Sequence, residues 1–117
     1  MSARREFADF IVEQMAGFGP VSARAMFGGF GVYRDGVMFA LIFDDTLYLK
    51  ADATTRREFE AEGLGPFVYG GKAGKSTTMS YWRAPERCLD DPDEMTMWSR
   101  KAHAAARSAG QGAKKKR

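Results

Sequence analysis

Two glycine-rich stretches in this 117-residue chain have the residue types for phosphate chemistry. Gly28, Gly29, Gly31 and Gly36 stand among aromatics in "RAMFGGFGVYRDGVMFALI". A dinucleotide site needs G-x-G-x-x-G between a strand and a helix, so that the helix N-terminus faces the pyrophosphate. Gly29-x-Gly31 begins that pattern, but Arg34 holds the third glycine position and a hairpin follows where a helix is required. A phosphate-cradling loop needs G-x-x-x-x-G-K-[ST]. Gly74-Lys75-Ser76 supplies its end, yet Tyr69 stands at the first glycine position and "TTMSYWRAP" is strand-prone. No cofactor is expected. The glycines read instead as relief of crowding at a bend or bulge.

Metal and nucleophile chemistry finds less support. One histidine, His103, and one cysteine, Cys88, cannot build the usual nitrogen and sulfur zinc site, so no metal is expected. His103 falls in an alanine-rich helix, where an exposed or partly covered imidazole is expected. Asp44-Asp45 and Asp90-Asp91 are explained by turn and cap chemistry. No catalytic residue emerges, and the chain is not expected to be an enzyme.

A surface remains. Phe27, Phe30, Tyr33, Tyr48, Tyr69, Tyr81 and Trp82 are interleaved with Arg24, Arg34, Lys50 and Arg83. Such residues can stack bases on a sheet face, pack beneath helices, or form a protein interface. The seven methionines suit an adaptable contact surface and core filling alike. The candidate interaction surface is Arg24, Met26, Phe27, Gly28, Gly29, Tyr33, Tyr48, Lys50, Tyr81 and Trp82.

The net charge of +3 resides at one end of the chain. Lys114, Lys115, Lys116 and Arg117 contribute +4, which leaves 14 basic against 15 acidic residues, or −1, elsewhere. Any nucleic-acid contact is therefore expected to be weak, non-specific and borne by those four residues. The lone cysteine excludes an intramolecular disulfide and suits a reducing compartment. The opening "MSARREFADF" is too charged for a signal peptide, and the apolar run Val37 to Phe43 is too short to cross a bilayer. A cytoplasmic protein without membrane contact is expected.

These residues must be positioned by regular elements. Phe7, Phe10, Ile11, Met15 and Phe18 form an apolar helical stripe, with Ser2 as a candidate cap and Gly17, Gly19 and Pro20 ending it. Asp35-Gly36 joins "FGVYR" to "VMFALIF" as a two-residue hairpin turn. The second of these strands, wholly apolar, reads as central and covered on both faces. Leu47 and Leu49 alternate with Thr46, Tyr48 and Lys50, giving a strand with one buried face. A short helix spans Asp52 to Glu62, capped by Asp52, anchored by Phe59 and closed by Gly63. "PFVY" and "TTMSYWRA" follow as strands. The last helix opens on Asp91, Pro92 and Glu94, a capping box with proline in the first turn. Met95, Trp98, Ala102, Ala105 and Ala109 mark its inner side. The order is helix, three or four strands, helix, two strands, helix, at its shortest α-β-β-β-α-β-β-α. That is an α+β domain with an antiparallel sheet over residues 1–109, followed by a disordered basic tail at 110–117.

"MFGGFGVYRDGVMFALIFDDTLYLKAD" and "PFVYGGKAGKSTTMSYWRAPERCLDDPDEMTMWSRKA" resemble the N-terminal domain of TfoX/Sxy proteins over roughly Glu6 to Ala106. The carriers are Met26-Phe27-Gly28-Gly29 and, at a characteristic distance, Leu47-Tyr48-Leu49-Lys50. The resemblance implies a two-layer, secretion-chaperone-like fold. It implies regulation of natural competence and DNA transformation, with the cyclic-AMP receptor protein or RNA polymerase as partners. The founding regulators carry a second, helical domain that these motifs do not cover. The family offers no catalytic residue. Chaperone-like folds often pair, so a homodimer is expected. A general interaction or chaperone-like module unrelated to competence is the alternative reading.

Overall fold

The computed structural model describes residues 2–26, 28–70 and 76–115. They form helix α1 (Ser2–Gln14), strands β1 (Ser22–Met26), β2 (Gly29–Arg34), β3 (Val37–Phe43) and β4 (Thr46–Lys50), helix α2 (Ala53–Ala61), strands β5 (Pro66–Gly70) and β6 (Ser76–Arg83), and helix α3 (Pro92–Lys115). A 3-10 turn at Glu86–Leu89 leads into α3. This is the expected α+β order, with Ser22–Met26 as the fourth strand ahead of α2. The sheet runs β1-β2-β3-β4-β6-β5, and every neighbouring pair is antiparallel.

Local chemistry explains the turns and caps. Asp35 and Gly36 have φ of 53° and 77°, so both centre residues of the β2–β3 turn are left-handed, as a type I′ hairpin requires. Asp44 and Asp45, at 54° and 55°, repeat this between β3 and β4. The Asp52 carboxylate accepts from the Thr54 and Thr55 amides, and the Thr55 hydroxyl accepts from the Asp52 amide. Asp91 accepts from the amides of Asp93 and Glu94 at the start of α3. The reciprocal half of the capping box expected there is replaced. The Asp91 amide already donates to the Arg87 carbonyl, which frees the Glu94 carboxylate to take Arg87 Nε and Trp98 Nε1.

The core lies between one face of the sheet and the helices. In the pairing register Val32, Ala40 and Leu49 share a row with Trp82, and Ile42 pairs with Leu47. All are buried against Ala8, Ile11 and Met15 of α1, Phe59 of α2, and Met95, Trp98, Ala102 and Ala106 of α3. Phe10, expected in the α1 stripe, points outward, because Ala8 takes the buried position beside Ile11. Ala109 likewise faces solvent, while Ser99 and His103 are buried on α3. That helix continues to Lys115, past the point where composition alone suggests a tail; Lys116 and Arg117 lie outside the described residues.

A register shift between Val32 and Tyr33 leaves Phe39 without a partner on β2. The extra residue of this bulge turns Phe39 toward the helices beside Ala40, where both are fully buried. There Phe39 meets the rings of Phe18 and His103 edge-on. The bulge thus explains why His103, expected near the surface, is only 8% exposed.

Candidate interaction surface

The other face of the same sheet carries no described helix. Its rows follow from the register: Gly31 beside Leu41, Tyr48 and Arg83, then Lys50 beside Tyr81. β3 is therefore buried on one side only; Met38, Leu41 and Phe43 remain half-buried, contrary to the expectation of cover on both faces.

The surface is built from aromatics and methionines. Phe67 of β5 packs between Tyr48 and Phe43, with ring centroids 4.8 and 5.5 Å away. Toward β1, the sulfurs of Met26 and Met38 close over Gly31, where a β-carbon would sit 2.7 Å from each. Gly29 serves the backbone: a β-carbon there would lie 2.2 Å from the Ile42 carbonyl oxygen. These glycines relieve crowding, one under side chains and one against a neighbouring strand. Gly28, at φ +81°, lies in the exposed turn between β1 and β2.

Cations stand among the rings. The Arg24 guanidinium lies 4.9 Å from the Tyr33 ring centroid and the Lys50 ammonium 5.3 Å from that of Tyr81. Contacts of this type are worth about 0.5–1 kcal/mol at exposed sites. Arg83 is exposed beside Tyr48. Tyr81 itself is 7% exposed, and its hydroxyl donates to the Met38 carbonyl at 3.4 Å. Burial, with Tyr33 adding a smaller effect, pushes its phenol up to about 12. It stays neutral at physiological pH and serves as an anchored aromatic.

Of the residues proposed from sequence, Arg24, Met26, Gly29, Tyr33, Tyr48, Lys50 and Tyr81 come together on this face. Trp82 does not. It alternates with Tyr81 and Arg83 and so faces the helices, stacked on Phe59 at 6.1 Å. Phe30 goes the same way, beside the core. Phe27 lies outside the described residues, as do residues 71–75, among them Gly74 and Lys75. Sequence reasoning missed Met38, Leu41, Phe43 and Phe67. For Leu41 and Phe43 the signal was alternation within β3, hidden by an apolar run that has no polar member to reveal which side is wet; the bulge puts Met38 out of that phase, and Phe67 lies on β5.

No group of three or more His, Cys, Asp or Glu residues that could hold a metal occurs among the described residues. The Cys88 thiol is buried and its pKa pushed up to about 12, chiefly by that burial, so it is a poor nucleophile. No described helix is long and apolar enough to cross a membrane. What the face offers is an adaptable apolar area with a cationic rim, made of residue types that are enriched at interfaces.

The comparison with protein families agrees with the signature residues. The TfoX N-terminal domain matches residues 13–106, which covers all six strands, α2 and most of α3. No curated protein matches the sequence.

Proposed function

Because the chain belongs to the TfoX N-terminal domain family, we propose that it is a non-enzymatic regulatory protein of the cytoplasm. It modulates transcription of competence and DNA-transformation genes through protein contacts. The observation that carries this reading is the uncovered sheet face: Tyr48, Leu41, Phe43 and Met38 present apolar area, and Arg24, Lys50 and Arg83 surround it with positive charge. Aromatic, methionine and arginine side chains are the types enriched at interfaces. The sign of the rim favours a partner surface that is acidic around an apolar centre. The cyclic-AMP receptor protein and RNA polymerase are the first candidates.

The test is capture from purified components. Immobilised protein is expected to retain RNA polymerase or the receptor protein, and Tyr48→Glu together with Leu41→Glu is expected to abolish retention without lowering the melting temperature. Retention that survives both charges would remove the sheet face from the mechanism. Retention of unfolded client proteins instead would favour a chaperone-like module, for which the two methionine side chains over Gly31 offer the adaptable contacts.

A further inference from the structure

On the helix side of the molecule, Arg34, Arg100, His103 and Arg107 converge with Phe18 and Ala104 on a cavity of about 370 Å³. No acidic residue lines it among the described residues. Arg100, His103, Ala104 and Arg107 are spaced to share one face of α3. Arg34 comes from the end of β2. Three guanidiniums around one concavity repel one another, a cost that a bound anion relieves.

Arg34 is held in place before any ligand arrives. Its Nη1 donates to the Phe18 carbonyl at 3.0 Å, and its guanidinium lies 4.4 Å from the centroid of the Phe18 ring. Gly19, at φ +138°, leaves the space, since a β-carbon there would approach the guanidinium carbon to 3.0 Å. Asp35 stands 3.8 Å from Arg34 Nε but is 80% exposed, so it neutralises the group weakly. His103 joins the two elements, with a ring nitrogen 3.2 Å from the Arg34 carbonyl oxygen. Arg100 and Arg107 are exposed, and neither has an ion pair among the described residues.

From this arrangement we infer that the cavity binds a compact, multiply charged phosphate anion, either pyrophosphate or a terminal phosphomonoester. Guanidinium forks match phosphate oxygens two at a time. The cations close on one hollow from two elements, and its volume falls at the small end of the range for small-molecule sites. A polymer backbone would be met by charges spaced along a ridge. The site is separate from the sheet face, and it stands or falls independently of the regulatory reading.

The experiment is calorimetric titration of the full chain with inorganic pyrophosphate and, separately, phenyl phosphate at 0.15 M salt, a concentration that screens diffuse attraction. Saturable one-to-one binding is expected for at least one of them, and the tighter one names the source. Arg100→Gln and Arg107→Gln, neither of which is expected to lower the unliganded melting temperature, are expected to weaken it together at least tenfold. Lys75→Ala and Arg83→Gln are expected to leave it alone. Absence of saturation at millimolar concentration, or equal affinity in the double variant, would overturn the assignment. So would displacement of pyrophosphate by duplex DNA at equal phosphate concentration, which would give these arginines to a nucleic-acid backbone.

Discussion

Gly29 and Ile42 meet so closely across the β2–β3 ladder that a β-carbon on the first would lie 2.2 Å from the carbonyl oxygen of the second. Backbone does not yield as a side chain does. Gly29→Val is therefore expected to destabilise the protein by about 1–3 kcal/mol, read as a lower urea midpoint. Gly31→Ala is expected to cost less, because the atoms it meets are the mobile sulfurs of Met26 and Met38. An unchanged midpoint for Gly29→Val, with loss of partner capture alone, would mean that Gly29 touches the partner directly.

Asp52 gives the clearest dependence on pH. The amide of Thr55 is the largest influence holding its carboxyl below the ordinary value of 3.8. A lowered native pKa means that the stabilisation is complete above 3.8 and disappears as pH falls through the native value. Asp52→Ala is expected to cost about 1 kcal/mol at neutral pH, the usual worth of such a cap. Thermal melts of the two proteins are expected to converge in acid. A gap that stays constant down to pH 2 would show that the Asp52 charge is irrelevant to the cap.

The sequence displayed this cap and the hairpin because both are local. Asp52 precedes its own helix, and Asp35-Gly36 satisfies its turn without outside help. The arrangement of α1 was less legible: a helical stripe states which residues are apolar, and packing decides that Ala8 is buried while Phe10 is not. The candidate face was half legible. Tyr33, Tyr48, Lys50 and Tyr81 could be picked by type, but separating them from Trp82 required strand phase, which a single residue of error reverses. The bulge at Phe39 is the extreme case. It changes the phase within β3, and the uninterrupted apolar run conceals it.

Ser99 is fully buried on α3, and its hydroxyl has no hydrogen-bond partner among the described residues. Such a group forfeits its solvation and recovers nothing. Ser99→Ala is expected to be neutral or to stabilise by about 1 kcal/mol, the low end of that penalty. Measured destabilisation would mean that the hydroxyl has a bound water or a second conformation.

Self-association is expected to involve the β1 edge. Ser22, Arg24 and Ala25 are exposed there, and β2 pairs with only one side of the strand. Unpaired edge groups are a template for a second copy. Light scattering at tens of micromolar is expected to give the mass of a homodimer; a monomer mass would exclude it.

DNA retention is expected to reside in Lys114, Lys115, Lys116 and Arg117. Four cations allow a slope of about −4 in log affinity against log salt on duplex DNA. Deletion after Gly112 is expected to remove nearly all retention and leave the melting temperature unchanged. A truncated protein that still prefers one sequence would move base reading to the sheet face.

The strand order also dictates a history for each molecule as it is synthesised. β1 to β4 are consecutive and pair locally, so the meander can assemble early, as short-range contacts do. Its apolar side must then wait for Met95, Trp98 and Ala102, which arrive almost last. During that interval the nascent chain displays Val32, Ala40, Ile42 and Leu49 together on a half-built wall. Ribosomes that stall before Pro92 are thus expected to release a sticky, protease-sensitive fragment.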